Sequence, residues 1–229
     1  MLQKMHYGML CAILSPFIFS IMNALVKAAT LSIPSNEVAF FRSIIGTGII
    51  FVMMKNRKIA FSTTGIPTLT VRGILGALYM IAYFYTLSRI PLADASILVN
   101  LAPVFVILLA AFFLKEKLSC RSLAIVPVFF IGAVLTVKPY NFSAYSVDAL
   151  FGVLCAVLSA FISFAIRYLS KNHHTYEIIF YFMAATTVVS APLTWNEFVM
   201  PNPGELLYLL AIGLVSLAGQ VVNDESLYL

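Results

Sequence analysis

Apolar runs of about 20 residues, each interrupted by no more than one or two charges, recur along almost the whole 229-residue chain. A run of that length is what a helix needs to cross a hydrocarbon layer about 30 Å thick. With 62% of residues apolar and 10% charged, the chain lacks the polar residues to coat a water-soluble domain of this size. Reading for runs broken by charge, proline, glycine and asparagine predicts spans near 7–29, 37–54, 72–89, 93–114, 120–137, 149–169, 176–193 and 205–222. The expected class is therefore an all-α integral membrane bundle of about eight transmembrane helices. Pro34, Pro67, Pro91, Pro139, Pro201 and Pro203 fall in or beside the links, where a missing amide hydrogen costs least.

The net charge of +5 does not gather into a nucleic-acid-binding face. Its lysines and arginines alternate by loop instead: ten on one side, from Lys4 through Arg57, Arg72 and Lys115 to Lys171, against Lys27, Arg89 and Lys138 on the other. That bias places the N-terminus in the cytoplasm and makes the inner (plasma) membrane the expected location. The apolar segment after Lys4 is too long for a signal-peptide core and reads as the first span. Cys11, Cys120 and Cys155 have no metal-binding spacing and read as small packing residues. No motif calls for a cofactor or a metal, and HExxH, GxSxG and glycine-rich phosphate loops are absent, which argues against an enzyme.

A repeat lies beneath the hydropathy. The run Gly8–Ile18, GMLCAILSPFI, matches Gly152–Ile162, GVLCAVLSAFI, at eight of eleven positions. At the same offset Lys27 meets Lys171, and after a four-residue gap Glu37 meets Glu177, each opening a span. Five spans separate the copies, and an odd number means that the second enters the membrane from the opposite side. Inverted repeats of this kind are a device of secondary carriers, in which two halves exchange conformations around one central site.

The repeat, the segment SNEVAFFR from Ser35 to Arg42, the stretch YFYTLSRIPL from Tyr83 to Leu92, and the run from Ala93 to Leu118 with Asn100, Pro103 and a closing Leu-Lys-Glu-Lys-Leu together resemble the drug/metabolite transporter superfamily with EamA-type domains. SNEVAFFR is most similar to the S-adenosylmethionine uptake carriers. The resemblance implies two inverted five-helix repeats, here 1–142 and an incomplete 143–229, with a central cavity and both termini cytoplasmic. It also implies two further spans beyond those seen here, so a truncated chain is expected to move nothing alone. Its alternative is a non-transporting membrane protein that packs with a second copy or a complementing partner.

Several polar residues within the spans are candidate solute ligands. Arg42 costs about 2.5–3.5 kcal/mol to bury in a membrane helix, so it either faces a wet cavity, where it can grip a carboxylate or phosphate, or reaches for the outer headgroups. Asn23 and Lys27 lie four apart on one helical face, although interhelical hydrogen bonding accounts for Asn23 and Asn100 somewhat better and Lys27 also suits the outer interface. Asn100 precedes Pro103, where a proline frees a carbonyl. Tyr79, Tyr83 and Thr86 form a stripe able to stack on a ligand or on neighbouring helices. Glu37 and Glu116 are structural candidates at span ends, while His173 and His174 read as solvated. The expected solute is small, anionic or zwitterionic, and the bilayer is the other expected partner.

Overall fold

The computed structural model describes residues 2–114, 127–128, 131–132, 142–195 and 197–228. Glu116, Cys120 and nearly all of the expected span at 120–137 lie outside them. The described residues form α1 (Leu2–Ala29), α2 (Ser35–Asn56), α3 (Ile66–Arg89), α4 (Leu92–Val99), α5 (Ala102–Leu114), α6 (Phe142–Leu169), α7 (Thr175–Trp195) and α8 (Pro203–Tyr228), with no strand among them. Seven stretches are long and apolar enough to cross a membrane, with α4 and the start of α5 counted as one from Leu92 to Ala111.

Several helix ends run past the sequence reading, with the helix expected from 149 starting at Phe142 and the one expected to stop at 222 reaching Tyr228, and two further departures fall at prolines. The helix expected from residue 72 starts at Ile66, because Pro67 falls in its first turn, where no intrahelical amide hydrogen is required. Gly65 supplies the entry with a left-handed φ of 72° that its lack of a Cβ permits. Arg72 is consequently inside a helix rather than in a loop, and the remaining lysine and arginine bias keeps its direction. The span expected over 93–114 is broken at Asn100 and Leu101. Pro103 cannot donate to residue 99 and its ring crowds that carbonyl, so the chain ends one helix and restarts another within the same crossing.

Packing pairs α1 with α8 and α3 with α6, sets α2 against α7, and lays α3 on α7 and α2 on α8. Exchanging α1 with α6, α2 with α7 and α3 with α8 maps this set of pairings onto itself. The turns after the look-alike helices match as well. Ile33 N donates to Ala29 O at 3.0 Å and Glu37 N to Pro34 O at 3.0 Å; His173 N donates to Leu169 O at 2.9 Å and Glu177 N to His174 O at 3.0 Å.

Burial follows from those pairings. Val26, Val38, Ala39, Ile50, Phe84, Cys155, Ile179 and Met183 fill the interior, whereas Leu10, Ile13, Phe17, Leu154, Leu207 and Leu214 stay exposed on the outer surface. Such an apolar exterior suits hydrocarbon, where a helix stands because its backbone groups are satisfied internally. Cys11 and Cys155 are buried and unpaired, in keeping with a packing role.

Candidate solute site

A cavity of about 430 Å³ opens between the helices, bordered by side chains of α1, α3, α4, α6, α7 and α8. Four of the expected ligands line it: Asn23, Tyr79, Tyr83 and Asn100. Tyr79 and Tyr83 stack with ring centroids 5.7 Å apart and planes 15° from parallel, as their one-turn spacing dictates. Asn100 is held at the break between α4 and α5, where it closes the end of α4. The look-alike helices α1 and α6 contribute equivalent positions at the repeat offset: Ser15, Phe19 and Met22 from one, Ser159, Ser163 and Ile166 from the other.

The cavity's cation is Arg72, a residue that the loop expectation puts outside the membrane. It is 2% exposed, its guanidinium carbon lies 4.6 Å from the centre of the Phe182 ring, and its Nε and Nη1 have no hydrogen-bond partner. Gly76, one turn farther along α3, makes room for this arrangement; a Cβ there would collide with the Phe182 ring and with Nη1 of Arg72. Gln220 and Asn223, one turn apart near the end of α8, add amide groups to the same wall.

Arg42 is fully buried but does not border the cavity. Its guanidinium carbon sits 5.8 Å from the Phe84 ring centre and 5.7 Å from that of Phe182, and none of its three guanidinium nitrogens has a hydrogen-bond partner. The headgroup-reaching alternative therefore does not describe it. Two arginines thus meet one phenylalanine, and both retain N–H donors in surroundings where an unpaired buried donor costs roughly 1–3 kcal/mol.

Lys27 is not brought to the cavity. Its ammonium donates to Leu87 O at 2.7 Å, Ser88 O at 3.4 Å and Ile90 O at 3.0 Å, closing the carbonyl-rich end of α3, a favourable place for a cation. Thr86, the third member of the tyrosine stripe, is buried and donates to Ala82 O at 2.8 Å.

Glu37 and Glu177 work as reciprocal hooks. On α2, Glu37 Oε2 accepts from Val199 N at 3.0 Å, catching the link between α7 and α8. On α7, Glu177 accepts from Ser62 N at 2.7 Å and from Ser62 Oγ at 2.8 Å, catching the link between α2 and α3. His173 joins that second hook, with Nδ1 3.2 Å from both Glu177 Oε2 and Ser62 Oγ. It is 9% exposed, which corrects the reading of a solvated histidine. Proximity of one nitrogen to both partners is a clamp rather than a relay in which the histidine stands between nucleophile and acid.

Sequence reasoning passed over Arg72, Gln220 and Asn223. A Gly65-Ile66-Pro67 helix start would have placed Arg72 inside the membrane, and Gln220, Asn223 and Asp224 at i, i+3 and i+4 lie on one face of an otherwise apolar run.

The EamA-like transporter family matches residues 6–138. The pseudopaline exporter CntI of Pseudomonas aeruginosa is 51% identical over 221 residues, covering 96% of this chain and 78% of that protein. An S-adenosylmethionine uptake transporter of Rickettsia bellii is 29% identical, covering 78% of this chain and 62% of that protein. A solved crystal structure, 23% identical, superposes with a TM-score of 0.69 over 96% of this chain and 79% of that one, sharing the fold. The chain belongs to the EamA-like transporter family, whose members are multi-pass membrane carriers of small metabolites.

Proposed function

We propose that this protein exports pseudopaline, or a metabolite bearing similar charged groups, across a bacterial inner membrane by alternating access, with its N-terminus in the cytoplasm. The observation that carries the reading is Arg72: a cation inside the membrane, bordering a cavity, with two N–H groups free to take a carboxylate or phosphate. Asn23, Asn100, Gln220 and Asn223 supply the neutral hydrogen-bonding groups that orient a solute. Arg42, buried against the same Phe182 ring but off this wall, serves as the anion station reached when the other half of the cycle opens. The 51% identity to a pseudopaline exporter favours that solute and that direction.

Alternating access is supported by the exchange symmetry of the helix pairings, by the equivalent cavity positions on α1 and α6, and by the Glu37 and Glu177 hooks, each of which ties one half of the fold to a link of the other. These same features favour repeats at 1–142 and 143–229.

S-adenosylmethionine is the second reading, favoured by the stacked Tyr79–Tyr83 pair, whose π-faces suit a sulfonium cation. Everted membrane vesicles carrying the protein separate the two. Accumulation of labelled pseudopaline, unaffected by excess S-adenosylmethionine, is expected; accumulation of S-adenosylmethionine alone reverses the assignment, and accumulation of neither defeats the carrier reading.

A further inference from the structure

A second buried charge, Asp224, is bonded to the cavity wall that Arg72 borders. The aspartate is 1% exposed near the end of α8, beside Asn223 in the chain and one turn from Gln220. Asp224 and Arg72 are not bonded: Asp224 Oδ2 has no hydrogen-bond partner, and neither have Arg72 Nε and Nη1. Asp224 is anchored through its other oxygen, which accepts from Gln220 Nε2 at 2.8 Å and from Asn223 Nδ2 at 3.2 Å. Both amides border the cavity that Arg72 borders. The two charges also stand on differently packed helices, α3 lying with α6 and α7, and α8 with α1 and α2.

A buried guanidinium and a buried carboxylate that each keep unused bonding atoms at one cavity wall, on helices with different packing partners, can form an exchangeable pair. An uncompensated buried charge is expensive, so an empty carrier needs its own counter-charge for Arg72 before it can close. A solute anion on Arg72 removes that need and is repelled by the aspartate. From this geometry we infer that Asp224 is the carrier's internal counter-ion: it neutralises Arg72 when the cavity is empty and competes with the solute's anionic group for it. The inference rests on Arg72 being the solute's anion anchor. Asp224 acts through Arg72 and is a positioning residue, not a solute ligand.

The pattern it predicts is one that a merely structural residue does not give. In vesicles assayed with labelled pseudopaline, Asp224→Asn lowers the half-saturating concentration about fivefold, the low end of ordinary coupling between sites. Net transport into solute-free vesicles falls about tenfold, because the empty carrier cannot return, while exchange against solute on the far side stays within about twofold of the parent. Asp224→Glu, one methylene longer and still charged, shifts half-saturation the opposite way and keeps net transport, which holds the test open should the asparagine variant fail to insert. Net transport and exchange falling in parallel, or half-saturation unmoved in both variants, overturns the inference while leaving the carrier assignment standing. No movement of pseudopaline by the parent protein in either mode overturns the assignment itself.

Discussion

Arg42 and Arg72 are both buried in membrane helices and both contact the ring of Phe182, yet only Arg72 borders the cavity. Arg42 enters from the opposite end of the bundle: it is seven residues into α2, about 10 Å along the axis at 1.5 Å per residue, whereas Arg72 is six residues into α3, about 9 Å along. The two helices run in opposite directions, so the guanidiniums approach one phenylalanine from opposite faces of the membrane. Burial therefore does not by itself mark the solute site in such a protein. Access does, and under the alternating-access cycle proposed above it is a property of the conformational state.

The sharpest way to break this comparison is to neutralise each arginine in turn. In vesicles assayed with pseudopaline, Arg72→Gln is expected to reduce transport efficiency by about 100-fold, the loss of a charge-assisted pair worth about 2.7 kcal/mol, with membrane insertion intact. Arg42→Gln is expected to cost about tenfold, mainly in turnover, because the second station is met only after the switch. Equal losses in affinity from both would place both guanidiniums on the solute at once and dissolve the distinction.

A subtler test moves Arg72 without removing it. Gly76→Val crowds both Phe182 and Nη1 of Arg72, so half-saturation is expected to rise about tenfold, whereas Gly48→Ala, with open space around its Cβ, leaves it unchanged. Lys27→Met should produce the smallest functional effect. Losing the cation that closes α3 is expected to lower stability by about 1–3 kcal/mol, read as an earlier melting of the purified protein, with half-saturation within about twofold of the parent. A shift in half-saturation larger than the stability loss would return Lys27 to the solute path.

Legibility from sequence followed the physics of each feature. Span number and order follow from hydropathy, because lipid demands long uninterrupted helices. The pairing of Glu37 with Glu177 was visible as a repeat, and the structure adds what each one holds. Asn23, Tyr79, Tyr83 and Asn100 were found because polar or aromatic groups in an apolar run need an interior destination. Arg72 is hard to read from sequence because Pro67, which in a loop marks a boundary, in a first turn marks a beginning. Lys27 misled in the other direction: at a helix end, unpaired carbonyls compete with any solute for an ammonium, and sequence alone does not reveal which helix end lies alongside. The hook of Glu177 on Ser62 joins residues 115 apart, and no periodicity within either helix announces it.

The account turns on solute occupying the cavity bordered by Arg72, and site-directed alkylation tests this most directly. With the native cysteines replaced, a cysteine introduced by Ser159→Cys on the cavity wall is expected to react about tenfold more slowly with a thiol reagent when pseudopaline is present, while one introduced by Leu154→Cys on the exposed outer face reacts at the same rate with or without it. Unchanged reaction at Ser159, or equal slowing at both positions, would contradict it.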